Sequence, residues 1–393
     1  MLGAVTPLPA TEVQTVSTFD GLGRVLASDV VATVDVPSAD NSAMDGYAVR
    51  HADVPEAGRV LPISQRIAAG QVAAALQPGS AARIFTGALV PEGADAVVMQ
   101  EQCVALDGGV RIGIVPAAGL AIRRRGEDVR RDSVVLPAGT RLTPQALGLA
   151  ASVGVASLDV VRRPRVALFS TGDELAMPGE PLRPGAIYNS NRFTLRALIE
   201  AMGAECTDLG IVPDRLDATR EALARAAVGH DLIVTSGGVS VGEEDHLRPA
   251  VLAEGTLDLW QLAIKPGKPL AFGSVRRVGG DSAWFIGLPG NPVSSFVTFL
   301  LAARAVLRRL QGASGALPAP LSVRADFDWR ADRRREFLRV RRNAEGGLDL
   351  FQNQGSGVLT SAVWGDGLVD NPPQRAIRRG DTVRYVPFSE WFA

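Results

Sequence analysis

The sequence predicts a multidomain α/β plus β protein. It combines a parallel-sheet α/β/α domain, an inserted β-rich module, a helical N-terminal domain and a small C-terminal β domain. Three observations lead there. From Arg165 to Leu310, short continuous apolar runs alternate with longer helical ones, the texture of a buried parallel sheet covered by helices. Residues 41–130 and 322–393 carry short β-like runs between glycine and proline turns. The length of 393 residues suits two to four domains at about 100–200 residues each.

In chain order, Thr11–Ala27 and Thr143–Val153 have helical spacing and are expected to pair. They define a discontinuous helical domain I, residues 1–40 and 131–163. The intervening residues 41–130 are then an insertion, domain II. Its expected strands include Ala82–Thr86, Ala96–Met99 and Val110–Val115, and Val30–Val36 alternates loosely ahead of it. In domain III, residues 164–312, Val166–Phe169, Cys206–Val212, Asp231–Thr235 and Ala283–Ile286 read as strands. Asn191–Met202, Leu216–Val228, Leu247–Ala253 and Val293–Leu310 read as helices. The Pro-rich stretch Ala313–Leu321 marks the start of domain IV, residues 313–393.

Composition excludes several classes. Apolar residues are 46% and charged residues 21%, which rules out a wholly disordered chain. The 42 acidic and 41 basic residues leave no surplus pointing to nucleic acid. Cys103 and Cys206 are too few for a disulfide framework or a Cys-rich zinc site. Met1–Gln14 lacks a charged start and apolar core, so no signal peptide is expected. The apolar stretch Phe296–Leu307 is broken by Arg304 and is too short to span a bilayer. The expectation is a soluble cytoplasmic protein. Only two of the 41 basic residues are lysines, and both lie in Lys265-Pro266-Gly267-Lys268. In an Arg-rich chain, lysine persists where a compact ammonium cannot be replaced by a planar fork.

Chemistry is expected at three loops that each follow a strand of domain III. Ser236-Gly237-Gly238-Val239-Ser240-Val241-Gly242 leads into Glu243, Glu244 and Asp245. Glycines there let backbone N–H groups approach a phosphate; a plain tight turn with Asp245 as helix cap fits the same residues. The loop is neither a Walker A motif nor a G-x-G-x-x-G fingerprint. It matches the hydrolase elbow G-x-S-x-G, but His246 is the only histidine after Ser240 and lies six residues away, so a Ser-His-Asp triad is not expected. Ser170-Thr171-Gly172-Asp173-Glu174 falls on the same sheet edge, where Glu174 and Asp245 could hold Mg²⁺ or simply solvate and cap. Leu288-Pro289-Gly290-Asn291-Pro292 places a helix start there, with Asn291 as N-cap and Pro292 at N1. With Lys265 and Lys268 these loops suggest an anion cleft. In domain II, Asp45 suits either a site or a tight turn with Gly46.

Taken together, these blocks closely resemble the molybdopterin molybdenumtransferase family (MoeA type), which includes the E domain of gephyrin. The carrying stretches are Asp40–Arg50 (DNSAMDGYAVR), Arg83–Glu101 (RIFTGALVPEGADAVVMQE), Arg123–Asp128 (RRRGED), Val166–Leu175 (VALFSTGDEL), Ser236–Asp245 (SGGVSVGEED), Ile264–Pro269 (IKPGKP) and Gly287–Ser294 (GLPGNPVS). The resemblance spans nearly the whole chain. It implies a molybdopterin-binding type α/β domain and a β-barrel-like C-terminal domain. It also implies a cytoplasmic homodimer whose cleft joins domain III of one subunit to domain II of the other. The implied reaction inserts molybdenum from molybdate into adenylylated molybdopterin, releasing AMP with Mg²⁺.

Carried onto this sequence, the implied reaction residues are Asp45, Thr86, Asp128, Glu174, Asp214, Asp245, Lys265 and Lys268. Ser170, Gly172, Gly237, Gly238, Ser240, Pro289, Gly290 and Pro292 would hold the pterin nucleotide. Glu174 and Asp245 would bind Mg²⁺, and Lys265, Lys268, Arg339 and Ser356 would bind molybdate. Asp214 also suits a helix cap. A molybdopterin adenylyltransferase and molybdoenzyme maturation proteins are the implied partners, with no nucleic acid and no membrane. The chain departs from the family pattern at Gln261, where Lys is common, and at Asn189, where Asp is usual. An adenylyltransferase resembling domain III alone is countered by the additional domains, and a scaffold role by the lack of a fused adenylyltransferase domain and linker. Tungstate matches molybdate in size and charge, so residue types do not separate them.

Overall fold

The computed structural model describes residues 3–9, 12–239, 246–313 and 317–392. Domain I is not the helical unit expected. Val13–Ser17 is a strand antiparallel to Ser157–Val161, followed by a 3₁₀ turn at Thr18–Asp20. The helical spacing is overridden by β-branched Val13, Thr15 and Val16, and by Gly21 and Gly23 just beyond. Phe19 and Leu22 therefore face solvent, 95% and 57% exposed. The expected second helix is present as Pro144–Ser152, capped by the Thr143 hydroxyl, which accepts from the Ala146 N–H at 3.2 Å. It packs on Leu26, Leu142, Leu158 and Val160.

Domain II is β-rich as expected. Its six-stranded sheet runs in the order Ala96–Met99, Gly46–Val49, Ala81–Ile84, Arg59–Ile67, Gly109–Ile112, Cys103–Leu106. Gly46 does not form the left-handed turn considered above. It opens a buried strand, and a Cβ there would lie 2.0 Å from the Val98 carbonyl oxygen. Close backbone approach, rather than a positive φ, requires glycine at this position.

Domain III is built from β1 (Arg165–Thr171), α1 (Ser190–Ala201), β2 (Glu205–Val212), α2 (Leu216–Ala227), β3 (Leu232–Ser236), α3 (Leu247–Glu254), β4 (Gly255–Gln261), β5 (Pro269–Arg276), β6 (Ser282–Leu288) and α4 (Pro292–Thr298). A π-helical turn, Phe299–Ala303, continues α4 into α5, Arg304–Leu310. The sheet order is β2-β1-β3-β6-β5-β4. The first four strands are parallel and the last two antiparallel. The expectation of a parallel sheet thus holds for the first four of the six strands. The link Arg277–Asp281 between β5 and β6 is too short for a crossover, so that pair must run antiparallel. Both faces are covered. Leu168, Val234, Ile286 and Leu307 pack on one side, and Phe169, Ile233, Val251 and Phe285 on the other.

Domain IV carries a sheet in the order Ile264–Lys265, Arg335–Arg342, Gly367–Asn371, Thr382–Pro387, Leu321–Arg324. Its first strand is lent by domain III. Ile264 and Lys265 pair in parallel with Arg335 and Glu336. Phe337, Leu368, Val386 and Trp391 join the apolar cluster under α1 and α4, so the two domains share one core.

Domains I and III are joined at Arg162. Its guanidinium donates to both Asp231 carboxylate oxygens at 2.6 and 2.8 Å, and to Glu12. Asp231 also accepts the Arg165 N–H at 2.7 Å, at the start of β1. Both partners of this bidentate pair are largely buried. Asp231→Ala is expected to destabilise the chain by about 3 kcal/mol, because it removes the bidentate partner of a largely buried guanidinium and leaves it, among the described residues, only Glu12 as a counter-charge. Thermal denaturation checks it, and a melting temperature equal to that of the parent would refute it.

Candidate active site

The loops after β1, β3 and β6 converge where the sequence places them. They enclose a cavity of about 500 Å³ lined by Thr171, Gly172, Glu174, Asn189, Asn191, Asp214, Ser236, Gly237, Gly238, Pro269, Pro289, Gly290, Asn291 and Ser294. The carboxyl ends of parallel strands leave such a crevice because neighbouring connections depart to opposite faces.

Asn191, at the start of α1, holds the cavity's rear wall. Its side-chain amide donates to the Ser236 hydroxyl at 2.7 Å and to the Gly290 carbonyl at 2.8 Å. One buried side chain thus ties the β3 loop to the β6 loop. The glycines are needed for close approach. Gly237 has φ +95°, and a Cβ there would lie 2.5 Å from the Thr171 carbonyl. At Gly238, with φ +64°, a Cβ would lie 2.8 Å from the Thr171 hydroxyl. The β1 and β3 loops therefore touch through backbone, leaving main-chain groups at the cavity wall.

Two polar side-chain groups of the lining are buried without a partner among the described residues, the Thr171 hydroxyl and the Asn189 amide nitrogen. Asn189 spends its oxygen capping α1, accepting from the Arg192 N–H at 3.1 Å, so its NH₂ is the group left over. A buried unpaired donor costs about 1–3 kcal/mol, and a polar ligand in the cavity would recover it. Acidic groups gather at the rim. Asp214 donates its backbone N–H to Asp173 at 3.2 Å, and burial, with Asp173 and Glu174 nearby, pushes its carboxyl above the ordinary value. That repulsion suits a dication. Among the described residues no three carboxylates, imidazoles or thiols enclose one unaided. Mg²⁺ commonly takes only one or two carboxylates and completes its shell with phosphate oxygens and water, so Glu174 and Asp214 fit that ion.

The other expected residues divide. Gly172, Glu174, Asp214, Gly237, Gly238, Pro289 and Gly290 line the cavity. Ser240 and Asp245 lie outside the described residues. Ser170 does not reach the cavity; it is fully buried in β1, and Thr171 takes the lining position. Pro292 begins α4 behind the rim. Arg339 is fully buried, donating to the Ser361 hydroxyl and to the Phe337 and Gly355 carbonyls. Burial pushes its guanidinium down to about 10. It is a scaffold for the loop carrying Ser356 rather than a surface cation. The Ser356 carbonyl accepts the Val293 N–H at 2.9 Å, so domain IV occupies part of the α4 start that was expected to face an anion.

Lys265 is held at 3.0 Å by Asp332 and 3.3 Å by Glu336, and these partners, Asp332 foremost, raise its ammonium above the ordinary value. Lys268 is exposed and has no ion-pair partner among the described residues. In domain II, the Asp45 carboxylate accepts from the Thr86 N–H at 2.8 Å and hydroxyl at 2.7 Å, which hold it below the ordinary carboxylate range. Asp128 borders a separate depression with Gly126, Arg130, Ser133 and Leu149. None of these three lines the domain III cavity. Sequence reading missed Thr171, Asn191, Asn291 and Ser294 as lining. Asn191 carried a usable signal, a polar residue opening a helix after a strand-end loop.

Fold and cleft define a multidomain α/β protein with a strand-end pocket, flanked by an inserted β-module and a C-terminal β domain. Known proteins make the assignment sharper. The MoeA N-terminal region (domain I and II) matches residues 1–154, a "Probable molybdopterin binding domain" matches 167–309, and the MoeA C-terminal region (domain IV) matches 322–388. The chain is 38% identical to a molybdopterin molybdenumtransferase of Haemophilus influenzae, over 98% of this chain and 95% of that one. It is 42% identical to molybdopterin molybdenumtransferase 2 of Mycobacterium tuberculosis, over 81% of this chain and 78% of that one. The crystal structure of a molybdopterin biosynthesis moeA protein from Pyrococcus horikoshii superposes with a TM-score of 0.84 at 28% identity, covering 98% of this chain and 97% of that one. The chain belongs to the MoeA family of molybdopterin molybdenumtransferases.

Gly237→Ala is expected to open the contact between the β1 and β3 loops. Activity should fall more than tenfold, and stability by more than the about 1–2 kcal/mol of a left-handed alanine, because the added Cβ also meets the Thr171 carbonyl. Steady-state kinetics beside a thermal melt tests this. Retained activity would show that the close approach is not needed.

Proposed function

We propose that the domain III cavity binds adenylylated molybdopterin and that the chain, a transferase of molybdenum cofactor biosynthesis, inserts molybdenum there from molybdate with release of AMP. The observation that carries the reading is the cavity itself. Three strand-end loops meet around buried donors without a partner among the described residues, with carboxylates at the rim and the lysine loop reaching the lining through Pro269.

The residues divide the work by charge. The main chain at Gly237, Gly238 and Gly290, with Thr171 and Asn189, would bind the polar edges and phosphates of the nucleotide. Glu174 and Asp214 would hold Mg²⁺, with Asp245 expected beside them; the ion would offset charge developing on the cleaved pyrophosphate. Lys268, exposed and without an ion-pair partner among the described residues, would attract molybdate as a point charge. Asp45, oriented by Thr86, lies away from the cavity of its own subunit, which supports a shared cleft in a homodimer. No helix among the described residues is long and apolar enough to cross a membrane. We place the reaction in the cytoplasm.

Two outcomes test this reading. Purified adenylylated molybdopterin with Mg²⁺ should release AMP only when molybdate is added, and Lys268→Ala should reduce that release about a hundredfold without unfolding the chain. Release that ignores molybdate, or a fully active Lys268→Ala, would contradict it. Separately, mixing inactive Asp45→Ala and Glu174→Ala subunits should restore part of the activity, because one cleft of each heterodimer is intact. Mixtures that stay inactive although heterodimers form would rule out the shared cleft.

A further inference from the structure

Lys265 is not an unoccupied cation waiting for an anion. Its ammonium has three donors, and two of them are aimed at carboxylates of domain IV, Asp332 at 3.0 Å and Glu336 at 3.3 Å. The two acids differ in what else holds them. Glu336 is 1% exposed, and its other oxygen accepts from the Trp329 indole N–H at 2.8 Å. It also sits on the strand that pairs directly with Lys265. Glu336 therefore cannot leave without breaking a buried bond and a strand pairing. Asp332 lies on the turn before that strand, with a quarter of its side chain exposed, and its second oxygen is held by the neighbouring Arg334 N–H at 2.9 Å. It can swing away from Lys265 into water while keeping that turn contact.

The charges complete the argument. Lys265 with two carboxylates carries a net negative charge, and Arg334, 3.7 Å from Asp332, returns the group to neutrality. A dianion gains little from such a site as it stands. If Asp332 withdraws, the ammonium gains a vacant donor, and one like charge no longer faces the entering anion.

We propose that Asp332 is a positioning residue of the oxyanion site, a carboxylate that occupies the place on Lys265 taken by molybdate and must be displaced for molybdate to bind. Glu336 keeps the ammonium in place during the exchange. The competition sets a threshold, so that weakly held monoanions fail to displace Asp332 and a tetrahedral dianion succeeds. The inference rests on the reading of Lys265 as an oxyanion ligand.

Asp332→Asn tests it, since the amide keeps the size and removes the charge. The KM for molybdate should fall about two- to fivefold, the range of a solvent-accessible pair, with kcat changed much less. Titration calorimetry with molybdate alone should show the same gain in affinity, and a thermal melt confirms that the variant is folded. Lys265→Met is the accompanying control and should raise the molybdate KM. If Lys265→Met leaves that KM unchanged, the oxyanion reading of Lys265 fails and the proposal falls with it. If Lys265→Met raises the KM but Asp332→Asn leaves it unchanged or raises it, Lys265 still binds the anion and the displacement proposal alone is overturned.

Discussion

The cleft depends on one amide. Asn191 joins the Ser236 hydroxyl to the Gly290 carbonyl from a position 8% exposed. Ser236 is the last residue of β3, paired with Leu288 of β6, and Gly290 lies in the loop after β6. The ladder and the Gly237 N–H to the Leu288 carbonyl hold the strand ends, and beyond them the Asn191 cross-link fixes the β6 loop. The glycine contacts between Gly237, Gly238 and Thr171 depend on that placement, and the cavity walls follow from both.

Domain IV is part of the same construction rather than an appendage. It shares an apolar core with α1 and α4, receives Ile264–Lys265 as an edge strand, and caps α4 through the Ser356 carbonyl. The lent strand lies four residues before Pro269 and the capped Val293 one residue before Ser294, both of which line the cleft. Arg339 has its place here. A fully buried guanidinium with three hydrogen-bonded neighbours holds the 353–357 loop, which meets α4 through the Ser356 carbonyl.

Domain II contrasts with this. The Asp45 carboxylate on its surface is held by the Thr86 N–H and hydroxyl and does not line the cavity of its own chain. A group preorganised by two hydrogen bonds, one of them from the backbone, is suited to face a ligand. Phe19 and Leu22 of domain I are exposed apolar side chains.

Much of domain III was legible in the sequence, because buried parallel strands require continuous apolar runs and their loops must carry glycine, proline and small polar residues. Val166–Phe169 and Ala283–Ile286 fall within strands, Asp231–Thr235 overlaps β3 from Leu232 on, and the three loops meet as read. Local pattern failed where tertiary contacts outweigh it. Val13–Ser17 is a strand because Ser157–Val161 lies beside it, and Arg59–Ile67 was invisible because a half-solvated strand carries polar residues. Charge partners were equally hidden. The sequence by itself determined the order of domains, the family and the identity of the cleft loops, since these rest on residue types in linear order. Only the tertiary structure decided that Ser170 and Arg339 are buried, that Thr171 and Asn191 shape the cavity, and that Lys265 is held by carboxylates from a turn and the strand after it, some seventy residues away. Burial and pairing are properties of groups brought together in space, and no local pattern records them.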